Sequence, residues 1–114
     1  MCSLLTENAT FARPTDPDNP INGRTAIEAA FEARPADRIT RHICTNIIIT
    51  AVSPSQASGS MYALLYTGSA ENCGAMGIIA DDRQMVGEFE DDYVLTEDDW
   101  RIDSRRGRII LSTE

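Results

Sequence analysis

The stretch that most restricts how this chain can fold is residues 40–52. It contains Arg41-His42-Ile43-Cys44-Thr45-Asn46-Ile47-Ile48-Ile49 and stops at Ser53-Pro54-Ser55. Rich in isoleucine and threonine, it reads as one long strand. Side chains alternate along a strand, so Arg41, Ile43, Thr45, Ile47 and Ile49 take one face. His42, Cys44, Asn46, Ile48 and Thr50 take the other. Both faces carry apolar groups, and the expectation is a strand covered on both sides. The closing run, 87–111, reads as a hairpin with arms 87–96 and 100–111, turned at Glu97-Asp98-Asp99. Polar side chains set mid-strand on a bent sheet are what a ligand pocket requires.

The rest of the chain supplies elements to pack against these strands. Residues 61–68 form a further strand, expected to pair antiparallel with the first. Residues 69–84 are expected to be irregular, with one short strand at 76–80. Near the amino end, 4–11 reads as the end of a helix leading into a strand around 9–12. Residues 14–23 are expected to loop, because Pro14, Pro17 and Pro20 each deny the backbone a donor. Thr25-Ala26-Ile27-Glu28 fits a capping box, with Thr25 as the N-cap. Ile27, Ala30 and Phe31 then fall at helical spacing, and the helix stops before Pro35. One helix and several long strands in a single domain, 1–114, make an α+β chain. In it the helix covers one face of a bent, largely antiparallel sheet.

Charge narrows the partners. The net charge is −8, and all ten basic residues are arginine. Nucleic acid needs a clustered basic surface, so it is excluded as a partner. Alternation puts Arg101 and Arg105 on one face of the last strand and Arg106 and Arg108 on the other. They are expected to be surface ion-pair partners. Cys2, Cys44 and Cys73 are far apart, and their spacing with the lone histidine suggests no metal site. Reduced thiols, no secretory leader and no membrane-length apolar run point to a cytoplasmic protein without a membrane partner.

Two strand faces hold the candidate chemistry. His42 is a natural proton shuttle, because imidazole titrates near neutral pH. Asn46, two pleats along, is placed to hold a carbonyl or hydroxyl. The structural alternative is that these two only satisfy each other or nearby backbone. In the later strand Phe89, Asp91, Tyr93 and Leu95 share a face, and Glu88, Glu90, Asp92 and Val94 form the solvated one. A carboxylate set between two aromatics is desolvated, which favours its protonated form and suits acid, base or hydrogen-bond chemistry. The alternative is an aspartate turned outward or paired with an arginine such as Arg101. Tyr62 and Tyr66 share a strand face and either line the same cavity or pack. Cys44 reads as a buried, inert thiol.

Four places in order resemble the SnoaL-like branch of the nuclear transport factor 2-like superfamily. They are Leu4-Leu5-Thr6-Glu7-Asn8-Ala9-Thr10-Phe11, Gly23-Arg24-Thr25-Ala26-Ile27, Arg41-His42 followed by Asn46, and Gly87-Glu88-Phe89-Glu90-Asp91 leading into Trp100-Arg101-Ile102. The resemblance implies a cystatin-like cone: a strongly curved, mixed sheet with an apolar pocket, packed on few helices. It implies lyase, isomerase or cyclase chemistry of acid–base type on small hydrophobic, often cyclic molecules, with no metal or organic cofactor. His42 and Asp91 are the catalytic candidates it carries over; Asn46, Tyr93, Phe89 and Tyr62 are candidates for holding substrate. Many members are homodimers through the outer sheet face, and some are non-catalytic assembly modules, which is the alternative function. The family's first helix has no counterpart here, so an uncovered cone is expected to be closed by association.

Overall fold

The computed structural model describes residues 2–113. A single 3₁₀ turn, Cys2–Leu4, leads into β1 (Leu5–Arg13), β2 (Asp16–Asn22), helix α1 (Arg24–Glu32), β3 (Arg38–Ser53) and β4 (Gln56–Gly74). The chain continues through β5 (Gly77–Ala80), β6 (Met85–Leu95) and β7 (Trp100–Ser112). The strands make one curved, open sheet in the order β2-β1-β7-β6-β4-β3, with β5 paired to the far end of β4. All neighbours are antiparallel except β1 and β7, which run parallel. The α+β expectation holds, and so do both hairpins, β3–β4 and β6–β7.

Several expectations need correcting. The proline-rich segment 14–23 is largely strand β2, not loop. It is an edge strand, where a proline's missing donor faces no partner. The helical reading near Leu4 gives way to a 3₁₀ turn, with the strand starting at Leu5. Thr25 is not the N-cap of α1. Gly23 holds that position at φ 89°, a left-handed value that suits glycine, and no side chain caps the helix. Residues 69–84 are more ordered than expected, because β4 runs on to Gly74 and turns into β5.

The core lies on the concave face. Leu5, Ala9 and Phe11 of β1, Met61, Ala63 and Leu65 of β4, Phe89 of β6 and Ile102 of β7 are buried there. Helix α1 closes one end, burying Ile27 completely and resting Phe31 on Phe11 with ring centroids 5.7 Å apart. Burying one such aliphatic side chain contributes roughly 1.5–3 kcal/mol. By contrast β3 is the opposite edge strand and is not covered on both sides as expected. Ile43, Ile47, Ile48 and Ile49 stand 55–63% exposed. No described helix is long and apolar enough to cross a membrane.

Two bulges decide which side chains face the core. In β3 the register with β4 slips between Thr45 and Ile48, where Asn46 adopts φ 54°. In β7 it slips against β6 between Ile102 and Ser104. Each inserts one residue and exchanges the two faces beyond it.

Candidate functional site

The β7 bulge turns Arg105 inward, opposite Asp91 of β6. Alternation without the bulge would have kept Arg105 on the face of Arg101. Instead Arg101 sits opposite Val94 on the outer face, with Arg106 and Arg108. Two of the outer arginines form the expected surface pairs, Arg106 with Asp92 at 3.0 Å and Arg108 with Glu88 at 2.7 Å, whereas Arg101 donates to the Trp100 carbonyl at 2.9 Å. Such exposed pairs contribute little. Arg105 is the exception.

Asp91 is 1% exposed and, among the described residues, is the one charged side chain buried with the apolar core. Arg105 grips it with two bonds: Nε donates to Oδ1 at 2.8 Å and Nη2 to Oδ2 at 2.7 Å. The phenol of Tyr93 donates to Oδ2 at 2.8 Å. Three donors meet its two oxygens, so the aspartate is paired with an arginine, as the alternative had it, but with Arg105 and not Arg101. Burial works against the charge of Arg105, but its bonds and attraction to Asp91 prevail and raise its pKa. Its guanidinium also lies 5.2 Å from the centroid of Phe89, the aromatic wall below it.

Tyr93 is half-buried, and its pKa is pushed from 10 to about 12, first by burial and then by its bond to Asp91. The raised value means the protonated phenol contributes to stability below pH 10, a contribution lost as pH rises through about 12. The ring reaches this place by crossing Gly59 of β4. A methyl there would fall 2.8 Å from Cε2 and 2.9 Å from the phenol oxygen of Tyr93. Gly59→Ala is therefore expected to cost about 1–3 kcal/mol through overpacking. It should also shift the phenolate absorbance assigned to Tyr93, by difference from Tyr93→Phe, below about 12. An unchanged titration would show that the ring does not depend on this gap.

His42 lies on the same face, paired with Leu65 of β4, with Cys44 beside Ala63 two residues on. Its pKa is lowered from 6.5, by partial burial first and then by the charges of Arg34 and Arg105. The imidazole is thus neutral at neutral pH and able to accept a proton. For stability the sign is clear: full contribution above 6.5, declining as pH falls through the lowered folded value. Cys44 is exposed, not buried as expected.

The sequence-predicted residues therefore divide. His42, Phe89, Asp91 and Tyr93 share the concave face. Asn46 sits in the β3 bulge and accepts from the Thr45 hydroxyl at 3.1 Å, so it is not two regular pleats beyond His42. Tyr62 pairs with Thr45 and Glu88 on the outer face and does not join the group. Arg105 is the residue sequence reading missed. Folding the hairpin about Asp98 brings 91 near 105, but only the bulge makes them direct partners. Among the described residues, no His, Cys, Asp and Glu cluster is arranged to hold a metal ion.

A family model described as the SnoaL-like domain matches residues 1–106. No curated protein matches the chain. Among similar solved structures is a protein of Novosphingobium aromaticivorans provisionally named a scytalone dehydratase. It has a TM-score of 0.79 and 21% identity, over 98% of this chain and 70% of that one. A function-unknown protein of Mycobacterium tuberculosis gives a TM-score of 0.71 at 24% identity, over 96% and 61%. A nuclear transport factor 2-like protein with a cystatin-like fold, also from N. aromaticivorans, gives 0.68 at 18%, over 96% and 66%. The chain spans less than two thirds of the latter two structures. At these identities the likeness is one of fold.

Proposed function

The chain belongs to the SnoaL-like domain family, and from that premise we propose that its concave face binds a small hydrophobic, cyclic molecule and acts on it by cofactor-independent acid–base chemistry. The observation that carries this reading is Asp91, buried and pinned by Arg105 and Tyr93 on the face that also presents His42. A buried ion pair is costly to desolvate and is weak evidence for stability, whereas it positions donors firmly. In this scheme His42 takes or returns the proton. Arg105 donates to the substrate oxygen, the Tyr93 phenol oxygen accepts from a substrate hydroxyl, and Asp91 positions both. The dehydratase name of one similar structure supports reaction chemistry of this type.

A second reading is favoured by β3. Its outer face shows Ile43, Ile48 and Val52 at 55–65% exposure. No aspartate or glutamate occurs between Asp37 and Glu71, although the chain has 18. In so acidic a chain this is the surface that a second copy can meet without charge repulsion. We place homodimerisation there, with the concave face still open to ligand or, on the assembly reading, structural only.

The test is a thermal-shift series with small cyclic ketones, alcohols and aromatic acids, read alongside the proton resonances of His42, the chain's single histidine. Ligands of the folded state raise the melting temperature with concentration. The expected result is a shift that moves the His42 resonance and disappears in Tyr93→Phe. Cooperative melting with no ligand response, in a protein that sediments as a dimer, would favour the assembly reading.

A further inference from the structure

The outer face of the sheet carries a recess that the chemistry proposed above does not use. It has a volume of about 460 Å³ and spans β2, β1, β7 and β6. Ligand pockets usually measure roughly 300–1,000 Å³. Cross-strand pairing assembles its walls. Thr10 of β1 lies beside Asn22 of β2, while Arg106 and Arg108 of β7 stand opposite Glu90 and Glu88 of β6. Those two glutamates alternate with Phe89 and Asp91, so they point away from the face of His42. The recess lies toward edge strand β2, and the exposed isoleucines of β3 are at the other edge.

Its charged groups exclude three classes of ligand. Arg108 donates to Glu88 at 2.7 Å, and Arg106 donates to Asp92 at 3.0 Å and lies 3.9 Å from Glu90. Arg105 also borders the recess, but its charge is met by Asp91. The remaining two guanidiniums and two carboxylates of the lining balance. An anion would have to draw Arg108 from Glu88, whose side chain is only 17% exposed, and leave that carboxylate unpaired. A cation would strand Arg108 in the same way. An apolar ligand would strip water from all four charges and return no hydrogen bond.

A neutral ligand rich in hydroxyls meets none of these costs. A guanidinium carries several N–H donors and a carboxylate several lone pairs. Among the described residues Glu88 and Arg108 share a single bond, so each keeps capacity for a ligand. Adjacent hydroxyls on a ring can donate to the carboxylate and accept from the guanidinium without separating the two. Thr10 and Asn22 add a hydroxyl and an amide, and Pro17 and Pro20 offer an apolar wall to the ring's C–H face.

We infer that this recess is a second binding site, for a neutral ring bearing adjacent hydroxyls, either a free cyclitol or a glycosyl group. It is separate from the concave face, and neither site depends on the other.

The probes are myo-inositol and methyl β-glucoside, set against cyclohexanol and methyl β-glucuronide and titrated into the full chain. Polyols raise melting temperatures by exclusion alone, so binding is read from magnetic resonance of the Asn22 side-chain amide and the Gly107 amide. Both should shift saturably with myo-inositol or the glucoside, and the His42 resonance should stay still. The tighter of the two probes names the source, free ring or glycosyl group. Arg108→Leu and Asn22→Ala should each weaken binding about tenfold, the effect of one lost hydrogen bond. Cyclohexanol and the glucuronide should bind more weakly by about tenfold or more. No saturable shift with either polyol, equal binding of cyclohexanol or the glucuronide, or full affinity in both variants would overturn the inference. So would a shift of His42 in place of Asn22.

Discussion

Replacing Arg105 with Leu should lower the free energy of unfolding by about 3–5 kcal/mol. The loss comes less from the attraction removed than from what stays behind. Asp91 is 1% exposed and would keep one donor, the Tyr93 phenol, where it now has three. Surface ion pairs on the same strands give the internal control: Arg108→Leu breaks the 2.7 Å contact to Glu88 and should cost no more than about 1 kcal/mol. Urea denaturation of the two variants decides it. A second variant separates the site from the fold. Asp91→Leu combined with Arg105→Met replaces the pair by apolar groups and should recover most of the lost stability, or exceed the original. It should also lose ligand binding, since the donors are gone. If Arg105→Leu costs no more than the surface control, the pair is not held as the geometry describes.

His42→Ala should reduce turnover at the concave face by about 100- to 10,000-fold in kcat, the usual range for a lost general acid or base. Its fold should be intact, because the side chain is only partly buried and lies on an edge strand. In the unaltered protein, activity that depends on the neutral imidazole should rise with pH through a midpoint below 6.5, set by partial burial and by the charges of Arg34 and Arg105. Kinetic pH profiles of the original chain and of Arg34→Gln test this. Removing the Arg34 charge should move the midpoint upward. A His42→Ala variant that folds and retains full activity would end the catalytic scheme and leave the concave face as a binding or assembly surface.

What the sequence by itself determined is most of the strands and two of their pairings, β3 with β4 and β6 with β7. The isoleucine-rich run and the hairpin about Asp98 were legible because period-two patterning and turn residues act over a few residues. The family resemblance, resting on four short segments in order, gave the curved α+β architecture. It also put His42, Asp91, Phe89 and Tyr93 in strands that share a face. Less visible was β2, where three prolines read as a loop until the fold made that strand an edge.

Only the tertiary structure decided the partners. Alternation assigns faces correctly as long as a strand is regular, and two of the register shifts break it at the candidate residues. The bulge after Thr45 takes Asn46 out of the pattern of His42 and Cys44. The one between Ile102 and Ser104 swings Arg105 from the face of Arg101 to that of Asp91. A bulge depends on how two distant strands fit over a curved core, so no local pattern announces it. The pair that anchors the proposed site exists because of one extra residue in β7.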